Sequence, residues 1–209
     1  MPAESAQQAL NILRDPTQFQ WYVISLLAII VFIYANEIEK RNLNNVFAGL
    51  AFWGMDWFNE IWNSLIFHFS GYAPVWGAPA KTSFLILIGL NIEILFMFAI
   101  SGVALSKLLP KDKNLKIMGM NNRLFFAIVN SLIFVLVEML LNHIGVLTWE
   151  WSWWSITNPI LLFIIGYMPF HVVSFWVHDM ERKNQIKAVS IIWGTITLEL
   201  IVFGLLGWI

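Results

Sequence analysis

The sequence predicts an all-α, polytopic membrane protein, a bundle of six transmembrane helices. Three observations lead there. Hydrophobic residues make up 59 % of the 209-residue chain and charged residues only 12 %, about half the usual globular share. With 12 Trp and 17 Phe and a mean hydropathy of +0.71, there is more apolar surface than a water-soluble domain of this length can bury. Six apolar stretches also each approach the roughly 20 residues that a hydrocarbon core requires. The composition excludes other classes as well. Disorder does not fit so apolar a chain. A net charge of −1 offers no basic surface for nucleic acid. The absence of Cys removes disulfides, thiolate nucleophiles, Cys-ligated zinc and iron–sulfur clusters.

Residues 1–19 hold Glu4, Gln7, Gln8, Arg14 and Asp15 with neither a basic start nor an apolar core, so they read as an N-terminal interfacial segment, not a signal peptide. Within it, residues 5–13 suit a short interfacial helix that ends before Pro16. Residues 20–209 form the transmembrane domain, with spans predicted at 20–36, 46–69, 83–108, 123–147, 156–177 and 186–209. None carries Lys or Arg in its central part. The fifth span holds Gly166 and Pro169; proline there frees the carbonyl of Ile165 and predicts a kink at mid-depth.

The connections set the orientation. The first, third and fifth loops hold ten Lys and Arg, including Lys40, Lys111 and Arg182, whereas Arg14 and Lys81 alone lie on the other side. Positive charge stays cytoplasmic, so both termini are expected on the non-cytoplasmic side. The two outer loops differ from the inner ones. Residues 71–79 are rich in Gly and Pro around Trp76, and the fourth loop places Trp149, Trp151, Trp153 and Trp154 around Glu150. Those rings suit an interfacial belt or a lid over a cavity that opens outward.

Polar groups at membrane depth point to function, because each is costly in hydrocarbon. Asp56, Glu60, Glu93, Glu138 and Glu199 all fall within about one helical turn of their span centres, joined by His171. On the second span, Asp56, Asn59, Glu60 and Asn63 share an arc of about 100°, flanked by Trp53, Trp57 and Trp62. On the fourth, Asn130, Glu138 and Asn142 can share a face. Asn91 and Glu93 point in nearly opposite directions, so at most one of them looks into a common cavity. Five carboxylates meet no Lys or Arg inside the membrane. What remains for them is protonation, a shared proton, a bound cation or a water-filled cavity. A single such acid could merely fix helix packing; five at one depth predict a site.

The first chemistry that fits is acid–base catalysis on a lipophilic, isoprenoid-like substrate, of the isomerase or cyclase type, with no cofactor. A neutral carboxylic acid in an apolar site donates a proton, and aromatic walls stabilise a carbocation. Glu60 is the leading catalytic residue, followed by Asp56, Glu93, Glu138, Glu199 and His171. Asn59, Asn63, Trp53, Trp57, Asn130, Asn142 and Trp193 are the expected substrate-binding set. The stretch Asp56-Trp57-Phe58-Asn59-Glu60 resembles the second helix of the integral-membrane terpene cyclases of meroterpenoid pathways, which place Trp immediately before a catalytic Glu and Asn a few residues earlier. The resemblance covers one helix, carries the residue types in a different order, and sets six spans against seven. It implies Glu60 as proton donor and Glu199 as the distal acid.

Two further chemistries remain open at this stage. Asp56, Glu60, Glu93, Glu138 and His171 are enough in number for an iron or manganese centre of an oxidoreductase, although no Glu-x-x-His pair occurs. The acids could instead relay protons or a small cation in a transporter or channel, with the short spans forming a homo-oligomer, or the chain could be a structural subunit of a membrane complex. Phosphate loops, nucleophile elbows and His-Glu-x-x-His are absent.

Overall fold

The longest helix of the chain carries two buried acids along its length, and four other helices pack around it. The computed structural model describes residues 1–209. Helix α1 (Glu4–Ile12) is followed by a 3-10 turn at Pro16–Gln18, then by α2 (Tyr22–Glu39) and α3 (Leu43–Ser70). A hairpin of β1 (Leu85–Leu87) and β2 (Leu90–Asn91) leads into α4 (Ile92–Ser106), and a second small hairpin, β3 (Lys116–Ile117) and β4 (Met120–Asn121), leads into α5 (Asn122–His143). The chain ends with α6 (Pro159–Leu161), a π-helical stretch Leu162–Tyr167, α7 (Met168–Asp179) and α8 (Arg182–Leu205). The protein is an all-α membrane protein in which α3 packs against α2, α4, α7 and α8.

Four helical segments are long and apolar enough to cross a bilayer: Tyr22–Glu39, Asn122–His143, Pro159–Asp179 and Arg182–Leu205. The other two predicted spans, 46–69 and 83–108, are not among them. Helix α3 has 28 residues, about 42 Å at 1.5 Å per residue, and it falls outside the apolar class because Asp56, Glu60 and four Asn lie along it. The stretch 83–108 is not one helix. Its first part is the β1–β2 hairpin, paired Leu85 with Asn91 and Leu87 with Leu90, and only 15 residues are helical. An apolar run reads alike as helix or as buried strand, and tertiary packing decides. Here Leu85, Leu87, Ile88 and Leu90 are all buried.

The hairpin is held from three directions. The Arg14 backbone N–H donates to the Leu85 carbonyl at 2.8 Å and its guanidinium Nε to the Ile86 carbonyl at 3.0 Å. Ala78 N–H donates to the Ile88 carbonyl at 3.1 Å. Ala9 of α1 packs with Leu85, Ile88 and Leu147. Irregular backbone at this level is tolerated because protein, not lipid, covers it. Helix α1 ends at Ile12, where Arg14 takes a positive φ of 55°. The 3-10 turn that follows is capped by Asp15, which accepts from the hydroxyl and N–H of Thr17; the hydroxyl bond, then the N–H, hold this exposed carboxyl below its usual range.

In the fifth predicted span the expected kink at Pro169 is absorbed as a wide turn. The π-helical stretch ends at Tyr167, and Pro169 sits in the first turn of α7, where a missing N–H is harmless. At the opposite end of the bundle from the β1–β2 hairpin, Arg123 forms a forked pair with Asp179 at 2.8 and 3.0 Å, and Lys107 reaches buried Glu37 at 2.7 Å.

Candidate functional site

A cavity of about 240 Å³ opens between α3, α4, α5 and α7 at the level of the acids. Asp56, Asn59 and Glu60 face it from α3 and Glu138 faces it from α5. The three carboxyls are 2, 3 and 5 % exposed respectively. Asp56 and Glu60 are four positions apart, about one helical turn, so both project to the same side. One predicted site therefore assembles, with three of the five acids in it.

Their hydrogen bonds differ, and the difference assigns roles. Glu138 is tied at both oxygens: Trp149 Nε1 donates to Oε1 at 3.0 Å and the Tyr167 hydroxyl donates to Oε2 at 2.5 Å. Glu60 is tied at one. Trp76 Nε1 donates to its Oε1 at 2.8 Å, while Oε2 is buried without a partner. Asp56 Oδ2 is likewise buried and unpartnered. Buried polar atoms normally find a partner, so two open carboxyl oxygens in one apolar cavity mark where a ligand's polar or proton-accepting atoms would sit.

The roof is aromatic. Trp76 lies between Trp62 and Trp154, with ring centres 5.9 and 5.5 Å away. Asn63 fixes this ring from below: its Oδ1 accepts from the N–H of Val75 at 2.7 Å and of Trp76 at 3.2 Å, and its Nδ2 donates to the Trp76 carbonyl at 2.7 Å. Gly77 and Thr148 exchange backbone bonds of 3.0 and 2.9 Å, which join the two outer loops. Gly89, at the hairpin turn, closes the roof beside Glu60. A Cβ there would stand 2.5 Å from Asn63 Nδ2, 2.7 Å from Glu60 Oε2 and 2.7 Å from Trp76, so only glycine lets the hairpin reach this depth.

The floor is aromatic too. Phe52, Phe98, Phe134 and Phe170 pack with ring centres 5.4 to 5.9 Å apart. Beneath them His171 is fully buried, its Nδ1 within 2.9 Å of Ser131 Oγ and 3.0 Å of the Tyr167 carbonyl. His171 does not line the cavity; it is walled off by Phe52, Phe134 and Phe175. The Ser131–His171 pair escapes any reading of single helices because its members come from α5 and α7.

Several predicted site residues lie elsewhere. Glu93 sits in the first turn of α4 and accepts from the Tyr22 and Thr82 hydroxyls and from Ser83 N–H at 2.9 Å, so it braces the start of α2. Glu199 on α8 lines no part of the cavity, although its Oε2 is unpartnered. Trp53 and Trp57 pack toward α8, and Trp193 meets Trp53 edge to face at 5.1 Å while donating to the Leu50 carbonyl. Asn130 is buried off the cavity with a free Nδ2, and Asn142 donates to the Leu147 carbonyl. Asn63 is a clamp for the roof. Asn59 is the amide that lines the cavity, with Nδ2 3.5 Å from the Gly166 carbonyl at the wide turn. The set Asp56, Glu60, Glu93, Glu138 and His171 does not assemble as a metal centre: no three Asp, Glu or His groups stand close enough to hold an ion.

A family model described as an uncharacterized membrane protein family matches residues 3–205. The chain belongs to that family. A protein of Archaeoglobus fulgidus described as uncharacterized is 58 % identical over 213 residues, the whole of both chains. A second, also uncharacterized and from the same organism, is 43 % identical over 53 residues, covering 24 % of this chain and 95 % of its own length. No solved structure matches. Membership in this membrane family agrees with the apolar helices and leaves chemistry to the cavity.

Asn63→Ala is expected to strip the Val75 and Trp76 N–H groups of their acceptor, at about 1–3 kcal/mol for each buried group left unpaired. Chemical denaturation of the detergent-solubilised protein should show that loss together with increased solvent exposure of Trp76. An unchanged midpoint would mean that the roof is held without Asn63.

Proposed function

We propose that the protein is an intramembrane acid–base enzyme acting on a lipophilic, isoprenoid-like substrate in the cavity between α3, α4, α5 and α7. The observation that carries this reading is the pair of unpartnered carboxyl oxygens, Glu60 Oε2 and Asp56 Oδ2, facing an apolar space with a third acid opposite. The Glu60 carboxyl gives its proton to one carbon of an alkene, forming a C–H bond and a carbocation at the other. Trp76, Trp154, Tyr167 and Phe134 supply ring faces around that charge. A carboxylate of the same cluster then takes a proton from the carbon next to the cation, which leaves a shifted double bond. Where a second double bond of the chain first attacks the cation, a ring C–C bond forms, the charge moves to that alkene's other carbon, and the proton is lost beside it. No oxidant, metal or cofactor enters the balance. Glu138, held by two donors, suits the carboxylate that faces the cation. The one-helix resemblance to membrane terpene cyclases supports Glu60 as donor, and the position of Glu199 outside the cavity gives no support to a second acid there.

The transporter reading finds less support, because four Phe rings and buried His171 separate the acids from the polar end of the bundle. The topology we infer has six crossings. The covered central helix α3 provides one, since its polar face looks into the cavity and not at lipid, and α4 with its re-entrant hairpin provides another. The Lys and Arg distribution then supports both termini on the non-cytoplasmic side.

The test is isotopic. Purified protein in vesicles of unsaturated isoprenoid lipid, incubated in D2O, should place deuterium on carbon in the lipid, read by mass spectrometry. Lipid that gains no mass above a protein-free control would overturn the reading.

A further inference from the structure

Aromatic rings form the roof and the floor of the cavity, and three residues of its lining are exposed on the outside of the bundle. Met97 on α4 is 37 % exposed, and Ile133 and Val137 on α5 are 51 and 42 % exposed. All three are apolar. Helices α4 and α5 each pack on α7 but not closely on one another. The gap between them is therefore a side opening whose rim matches hydrocarbon, and behind it stand Asp56, Glu60 and Glu138.

Depth says what passes through. Asp56 is the fourteenth of the 28 residues of α3, its midpoint, and Glu60 is one turn, about 6 Å, nearer the Ser70 end. A lipid that approaches from the bilayer leaves its polar head at the interface, because drawing that head to mid-depth is costly. What reaches the acids is hydrocarbon chain. We infer that the α4–α5 gap is a lateral portal that admits the chain of a bilayer-dissolved isoprenoid lipid, so that the reactive double bond lies in the chain and the head group stays outside. This rests on the acid–base reading for the reaction and stands on its own for binding.

The test uses two probes in phosphatidylcholine vesicles, each an isoprenoid alcohol carrying a photoreactive diazirine, one at mid-chain and one at the hydroxyl end. After illumination, peptide mass spectrometry should find the mid-chain probe on cavity residues such as Phe98, Phe134 and Leu141, and the hydroxyl-end probe absent from them. Val137→Trp, a substitution on an exposed position, should plug the opening and lose the mid-chain labelling. Glu60→Gln should keep it while losing deuterium uptake, which separates entry from chemistry. Equal cavity labelling by both probes, cavity labelling that survives Val137→Trp in the folded protein, or labelling confined to outer helix faces would each overturn the portal. Deuterium uptake in the wild type with no mid-chain labelling would leave the acid–base reading standing and remove the portal alone.

Discussion

Glu60→Gln is expected to reduce deuterium incorporation by about 10²–10⁴-fold, the usual contribution of a positioned acid or base, while the protein folds and inserts as before. The substitution is close to isosteric. The amide oxygen can still accept from Trp76 Nε1, the bond now made to Oε1 at 2.8 Å, and the new NH2 group takes the unpartnered position of Oε2. What disappears is the transferable proton. Asp56→Asn is the informative companion, because Asp56 also has an open oxygen in the cavity. If both acids supply the proton in turn, either change gives a comparable loss. If Asp56 only adjusts its neighbour, Asp56→Asn displaces the pH profile of the exchange and leaves a measurable rate. Glu138→Gln acts differently: its amide NH2 must meet either Trp149 Nε1 or the Tyr167 hydroxyl, both of which donate to Glu138, so it disturbs packing as well as charge. Exchange rates across pH, with Tm measured on the same samples, separate these cases. A Glu60→Gln protein that exchanges at the wild-type rate would take Glu60 out of the reaction.

The acid cluster was legible because helix geometry alone places Asp56, Asn59 and Glu60 on one side, and because no Lys or Arg lies near them in the chain. Glu138 followed from depth. Glu93 and Glu199 failed for separable reasons. Depth along a span does not say which way a side chain points, and Glu199 shares the depth without the direction. Glu93 was placed at mid-span only because 83–108 read as one helix; with Leu85–Asn91 folded as a hairpin, it becomes a first-turn residue bound to Tyr22, Thr82 and Ser83. That hairpin is invisible to periodicity, since an apolar run gives the same pattern whether coiled or extended. Trp76, Trp149 and Trp154 were visible as residues but read as a belt or a lid. The bonds of Trp76 to Glu60 and of Trp149 to Glu138 depend on the Asn63 clamp and the Gly77–Thr148 pairing, contacts between distant segments that no local rule anticipates.

Gly102→Ala is expected to destabilise the protein by about 1–3 kcal/mol, the range for forcing extra volume into a packed interior, and at the upper end of it. At this crossing α3 and α4 meet backbone to backbone. A Cβ on Gly102 would stand 2.6 Å from Phe52 Cβ, 2.8 Å from Gly49 Cα and 3.0 Å from the Gly49 carbonyl. None of these atoms is the mobile end of a long side chain, so relief requires the helices to part. The same spot is closed from α2, where Tyr34 donates to the Ala99 carbonyl at 3.0 Å and would lie 2.8 Å from a Cβ on Gly49. Small residues allow such close approach where lipid supplies no hydrophobic drive between helices. Gly194→Ala is the control: nothing lies within 4 Å of a Cβ there, and the change should be neutral or slightly stabilising, as alanine is the better helix former. Denaturation midpoints of both variants in one detergent would show the contrast. The consequence extends to the site, because α4 also carries Met97 and Phe98, the near wall of the cavity. Parting α3 from α4 moves that wall relative to Asp56 and Glu60, so Gly102→Ala should slow exchange although it touches no acid. Equal midpoints for Gly102→Ala and wild type would mean that the crossing has slack, and the cavity wall would then have to be fixed from α7 alone.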